Sequence, residues 1–216
     1  MNLDSIMRTG PVIPVMVIDA PEQAVPAARA LVTGGIRVLE ITLRTPVALG
    51  AIEAIMGEVE GAVVGAGTVL DGRQLAQVAK LGCAFAVSPG FTEPLLDAAE
   101  GSPCPLLPGA TTAAEVMRLL ERGHDRQKFF PAEPSGGTAF LAALASPLPE
   151  AKFCPTGGID ANNAGRYLAL PNVVCVGGAW VVPPAMVREG RFEEITALAR
   201  EAAALGRDRG KGGKDA

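Results

Sequence analysis

The sequence predicts an α/β protein built as a single (β/α)8 TIM barrel with a short N-terminal helix. Three observations predict it. Short β-branched or apolar runs alternate with alanine-rich stretches along the whole chain, eight such units can be counted, and no GxGxxG follows the first run. Alternation alone also fits an open doubly wound sheet; the unit count and the missing glycine fingerprint favour the barrel.

Strands are expected at Val12–Ile18, Val38–Leu43, Val63–Ala66, Phe85–Ser88, Pro105–Leu107, Lys128–Phe130, Phe153–Thr156 and Val173–Val176. The helices between them carry start signals. Thr45 before Pro46 offers an N-cap with proline at the first helical position. Asp71 with Gln74, and Thr112 with Glu115, have capping-box spacing. Gly34-Gly35, Gly82 and Gly123 punctuate helix ends. The residues before Pro11 read as a short helix under the barrel floor. The barrel is expected to span 1–206, and the glycine-rich, charged run 207–216 reads as a disordered tail.

Composition narrows the function. Hydrophobic residues make up 49% of the 216 and charged residues 19%, which fits a compact enzyme core. A net charge of −4 and a pI near 5.1 argue against nucleic acid as a partner. No apolar run reaches membrane-spanning length and the N-terminus lacks a signal pattern, so a soluble, cytoplasmic protein with no membrane partner is expected. Cys83, Cys104, Cys154 and Cys175 form no CxxC pair and read as reduced core thiols. The single histidine, His124, leaves no basis for a histidine-rich metal site; it reads as a solvated loop residue.

A barrel carries its chemistry at the C-terminal ends of its strands. In VLEITLR, alternation puts Val38, Glu40, Thr42 and Arg44 on one face and Leu39, Ile41 and Leu43 on the other. The apolar face must meet the helices, so Glu40 and Arg44 are expected to point into the barrel. Buried charges are costly unless paired or used. The bland reading is a structural Glu–Arg pair; the functional one is a deep acid beneath a rim cation. Of the five lysines, Lys128 and Lys152 both begin strand segments, KFFP and KFCP. Phe129 and Phe130 favour Lys128, because rings beside an ammonium strip its hydration and a nucleophilic lysine must be neutral. Position alone leaves Lys152 in contention.

Strands seven and eight run into paired glycines, Thr156-Gly157-Gly158 and Gly177-Gly178-Ala179. Each alone would be a turn. Two after these two strands suggest backbone N–H groups open to a phosphate. Thr68 adds a hydroxyl at the same rim, and Pro89 sits in a tight turn there.

The segments RVLEITLRT (37–45), VGAGTVL (64–70), AVSPGFTEPLL (86–96), KFFPAE (128–133), FCPTGGI (153–159) and VGGAWVVP (176–183) resemble the 2-dehydro-3-deoxy-phosphogluconate / 4-hydroxy-2-oxoglutarate aldolase family. The likeness runs from about Pro11 to Ala203 in one register. It implies that Lys128 forms a Schiff base with a 2-keto acid sugar, releasing pyruvate, and that Glu40 is the acid/base. It further implies that Arg44 and Thr68 hold the carboxylate of the pyruvyl half. Pro89 and Phe130 would contact substrate, and Thr156, Gly157, Gly158, Gly177 and Gly178 would receive its distal end. A homotrimer using neither metal nor bound cofactor is implied as well. Ala179 departs from the pattern, standing where the family often has serine, which weakens the case for a phosphorylated substrate. The alternatives are a phosphate-binding barrel isomerase or synthase, which would not need the amine, and a binding scaffold, which would not need charges inside the barrel.

Overall fold

Alternation along the strands sorts the apolar residues into two cores, with the barrel wall between them. The structure is a computed structural model describing residues 1–205; the tail expected over 207–216 lies outside them. Nine parallel strands are seen: β1 (Val12–Met16), β2 (Val38–Thr42), β3 (Val63–Gly67), β4 (Phe85–Val87), β5 (Leu106–Leu107), β6 (Gly109–Ala110), β7 (Arg126–Phe129), β8 (Lys152–Pro155) and β9 (Val176–Gly178). One sheet runs β5-β4-β3-β2-β1-β9 and another β6-β7-β8. Strands β5 and β6 are halves of one barrel position, parted at Pro108, which has no N–H to give the ladder. Its carbonyl still accepts from the Lys128 N–H at 2.8 Å. Parallel bridges Phe153–Val173 and Thr156–Gly177 join β8 to β9. The result is the expected (β/α)8 barrel.

Ten helices complete the described chain: α1 (Leu3–Met7), α2 (Pro21–Thr33), α3 (Ala48–Glu58), α4 (Gly72–Leu81), α5 (Glu93–Ala99), α6 (Ala113–Glu121), α7 (Gly137–Leu144), α8 (Ala164–Leu168), α9 (Pro184–Arg188) and α10 (Phe192–Ala204). Helix α1 plugs the floor as expected. Its Ile6 and Met7 are buried among the inward Ile13, Val38, Phe85, Leu107 and Cys154. Outward residues such as Leu39, Ile41, Phe129 and Phe153 fill the larger layer under the helices. All four cysteines are buried, and burial pushes the Cys83 thiol up to about 12 and that of Cys104 to about 11.

Several local expectations change. Thr45 caps no helix: its hydroxyl donates to the Ile18 carbonyl at 2.6 Å, and α3 starts later, after Val47. Thr112 and Glu115 form a full capping box. Asp71 accepts from the Gln74 N–H, but Gln74 takes the Leu70 N–H instead of closing the box. Gly35, Gly82 and Gly123 hold positive φ at helix ends, while Gly34 stays right-handed. His124 is half-buried, not solvated, and burial holds its pKa below the usual value.

The floor plug is tied down electrostatically. The Asp4 carboxylate accepts from Arg8 Nε at 2.8 Å and from Arg126 Nε, at the foot of β7, at 2.6 Å. The bond from Arg8, and then Arg126, hold the Asp4 pKa below 3.8 against the opposing effect of burial. A depressed carboxylate stabilises the fold above its unfolded pKa, and that contribution is lost as pH falls through the folded value. Asp4 is partly exposed, so solvent weakens the effect. Asp4→Asn is expected to lower Tm by about 2 °C at pH 7. In melts recorded across pH, the difference should narrow as the pH falls below 3.8.

Candidate active site

Halfway up the barrel interior the side chains stop being apolar. Strand register sets Glu40 level with Val15 and Gly65, and sets Lys128 level with Gly109 and Cys154. Glu40 is 3% exposed and Lys128 6%. They come from β2 and β7, which are not sheet neighbours, so their contact spans the interior. Lys128 Nζ lies 3.5 Å from Glu40 Oε1. The contact is an ion pair by distance and not a hydrogen bond, for Oε1 has no hydrogen-bond partner. Such a pair, buried and short of full hydrogen bonding, contributes little to stability. It does place a proton acceptor beside an amine.

The two lysines are now distinct. Strand β7 begins two residues earlier than expected, at Arg126, so Lys128 lies inside the strand. Lys152 pairs in register with Arg126 at the foot of β8, and its Nζ donates to the Pro149 carbonyl at 3.1 Å. That amine faces the floor end; Lys128 sits one inward step nearer the mouth. Only one of the two rings accompanies it: Nζ lies 5.1 Å from the centroid of Phe130. Phe129 points outward, stacked on Phe140 at 5.4 Å.

Glu40 fits because Gly67 has no side chain. A Cβ there would fall 2.2 Å from Glu40 Oε1 and 2.7 Å from its Cγ. Gly65 yields likewise to the Phe85 ring, and Gly177 to the Thr156 hydroxyl, at 2.3 Å from a would-be Cβ. Inward glycines opposite larger inward residues were a readable signal in VGAG, as strand glycines mark close approach.

The rim residues fall around this centre. Arg44 is the main departure from the sequence reading. Strand β2 ends at Thr42, so Arg44 lies beyond it on an exposed turn, and no ion pair or hydrogen bond involves it among the described residues. The structural Glu–Arg pair is absent; Lys128 is the partner of Glu40. Thr68 holds φ +58°, a left-handed conformation rare for a β-branched residue and costly enough to mark a constrained site. Pro89 approaches so closely that a Cβ on Gly109 would lie 2.2 Å from its carbonyl oxygen. Gly157 and Gly158 also hold positive φ, +100° and +77°. The Trp180 ring occupies the space where Gly178 would carry a side chain, and Ala179 is exposed just past the end of β9.

Comparison with known proteins decides the family. The family model for KDPG and KHG aldolase matches residues 3–198. The chain belongs to the KDPG and KHG aldolase family. It is 53% identical over 201 residues to the KHG/KDPG aldolase of Escherichia coli strain K12, covering 93% of this chain and 94% of that one. Against the 2-dehydro-3-deoxy-phosphogluconate aldolase of Zymomonas mobilis it is 52% identical over 206 residues, covering 95% and 97%. Among solved structures it resembles a KDPG aldolase from Legionella pneumophila with pyruvate captured as a covalent carbinolamine intermediate. There the TM-score is 0.92 and identity 44%, over 94% of this chain and 98% of that one.

Thr42, on the face that alternation gives it, is buried, its hydroxyl donating to the Met16 carbonyl at 3.0 Å. Within this aldolase family frame, two features of the chain escaped the sequence reading. Ser88 is buried with an unpartnered hydroxyl. Glu133 meets Tyr167 across a long stretch of sequence. A surface hollow of about 410 Å³, lined by Asp4, His124 and Arg126 among others, lies at the floor, away from Lys128.

Proposed function

We propose that the chain is a class I aldolase working through a Schiff base on Lys128. It cleaves 2-dehydro-3-deoxy-6-phosphogluconate to pyruvate and glyceraldehyde 3-phosphate, and 4-hydroxy-2-oxoglutarate to pyruvate and glyoxylate. The observation that carries this is the buried amine of Lys128 held 3.5 Å from the buried carboxylate of Glu40. An isomerase or scaffold would have no task for that amine.

The steps use those two groups. Lys128 gives a proton to Glu40 and adds as the free amine to the C2 ketone; Glu40 returns that proton to the departing C2 hydroxyl, and loss of water gives an iminium. Glu40 removes the C4 hydroxyl proton, the C3–C4 bond breaks, and its electron pair moves to the iminium as an enamine. The aldehyde leaves. Protonation of C3 from Glu40, then addition of water at C2, releases pyruvate and restores the amine. Arg44 reaches over the mouth from its turn to hold the carboxylate with Thr68. Pro89 and Phe130 flank the pyruvyl half. Thr156, Gly157, Gly158, Gly177 and Gly178 receive the distal end through a hydroxyl and backbone N–H groups.

Borohydride reduction with pyruvate, followed by peptide mass mapping, tests the assignment. A reduced pyruvyl adduct is expected on the Lys128 peptide; one on Lys152, or none in active enzyme, would overturn it. The homotrimer rests on the family resemblance, and sedimentation equilibrium checks it; the cytoplasmic location rests on the sequence pattern. Among the described residues no helix is long and apolar enough to cross a membrane.

Ala179 bears on substrate choice. It is exposed at the end of β9 and offers backbone but no hydroxyl. Ala179→Ser is expected to lower KM for the phosphorylated substrate about tenfold, the low end of the worth of one hydrogen bond to a charged group, and to leave 4-hydroxy-2-oxoglutarate nearly unchanged. Paired steady-state kinetics on both substrates measure it; an unaltered preference would remove Ala179 from the distal site.

A further inference from the structure

Glu133 closes the KFFPAE segment yet takes no part in the chemistry above. Tyr167 in α8 is fully buried and has no part in it either. The two meet: the Tyr167 hydroxyl donates to Glu133 Oε1. Burial first, and the Glu133 carboxylate second, hold the phenol well above its usual range, so it remains a donor through the working pH.

The contact joins the exit of β7 to the turn after β8. The Glu133 N–H donates to the Gly157 carbonyl at 3.0 Å, and the Ala132 N–H to that of Thr156 at 2.8 Å. The stem of Glu133 lies on Gly158, where an added Cβ would meet its Cβ at 2.7 Å and its Cγ at 2.8 Å. From the other side Asn163 Nδ2 donates to the Gly158 carbonyl at 2.9 Å. Both carbonyls of the glycine pair are therefore held. Among the described residues the N–H groups of Gly157 and Gly158 donate to no protein acceptor. Two adjacent positive-φ glycines have wide conformational freedom, so the aim of those donors depends on what grips the turn.

We infer that the Glu133–Tyr167 hydrogen bond is a positioning element that aims the Gly157 and Gly158 N–H groups at the distal anionic end of the substrate. The inference rests on the proposed function, in which that turn receives the distal end. It assigns Glu133 and Tyr167 no contact with substrate. Charge-assisted bonds of this kind are short and directional, which suits holding a side-chain stem against a flexible turn. Without the hydroxyl the carboxylate turns to solvent and its stem lifts from Gly158.

The variants are Tyr167→Phe and Glu133→Ala, assayed on the phosphorylated aldol. Each is expected to raise KM on the order of tenfold, with kcat within about twofold, because the reacting atoms stay in place while a binding element is misaimed. The double variant should be no worse than either single one. Glu133→Gln keeps an acceptor oxygen and should restore KM to within about twofold of the parent. The pyruvate concentration giving half-maximal borohydride trapping on Lys128 should not move, since pyruvate has no distal end. A KM unchanged in Tyr167→Phe, or an equal shift in pyruvate trapping and aldol KM, would overturn the positioning role alone. Absence of any adduct in the unaltered enzyme would overturn the aldolase reading and this inference with it.

Discussion

Replacing Lys128 with methionine is expected to lower aldol cleavage by about 10⁴-fold or more and to abolish the borohydride-trapped pyruvate adduct. No other described amine stands at this level of the barrel: Lys152 lies at the floor end, bound to the Pro149 carbonyl, and Lys80 lies in the last turn of α4. Stability gives a second readout. Methionine fits the volume but leaves Glu40 buried without its cation. Breaking a sealed buried pair costs roughly 3–5 kcal/mol, and nearness to the mouth should reduce this to about 2. Adding Glu40→Gln to Lys128→Met removes the stranded charge and should recover most of that loss in denaturant melts. Activity should stay absent. Separating the two effects matters, because a fall in turnover with no recovery in the double variant would point to a damaged barrel instead of a missing nucleophile.

What the sequence disclosed follows from how far each signal reaches. Period-two alternation in VLEITLR is local, and it placed Glu40 inside the barrel without reference to any partner. Its partner is not local: alternation within the strand offers only Arg44, for the bland ion-pair reading, whereas the cation beside Glu40 is Lys128, contributed by β7. The start of β7 was misjudged for a related reason. Arg126 and Gln127 read as polar connector, yet the side-chain donors of both find distant or backbone acceptors. Arg126 bonds Asp4, and Gln127 Nε2 bonds the carbonyls of Val116 and His124. The last strand shifted the other way. The apolar run from Val173 enters the sheet through a bridge to Phe153, and regular pairing with β1 is carried by Val176–Gly178. Glycine has low strand propensity, but here it lets Thr156 fit opposite, a tertiary reason no propensity scale contains.

Glu40→Gln should keep the barrel intact and still permit pyruvate to be trapped on Lys128, while lowering kcat for cleavage by roughly 10²–10⁴-fold, the usual worth of a positioned acid/base. The amide fills the same space but accepts no proton at working pH. Gly67→Ala reaches the same group by geometry alone. The new methyl would stand 2.2 Å from Oε1 and 2.7 Å from Cγ, so the carboxylate must move while no chemical group is removed. Misplacing a catalytic group by about 1 Å costs on the order of 10²-fold, and kcat should fall by that amount. The clash is with a side chain and not with backbone, so Tm should fall less than a backbone clash would require. Combining the two substitutions discriminates between explanations: if Gly67 acts only through Glu40, adding Gly67→Ala to Glu40→Gln should cost almost nothing further in kcat. Additive losses would mean that Gly67 supports catalysis by another route, with its neighbour Thr68, held at φ +58°, the first residue to test.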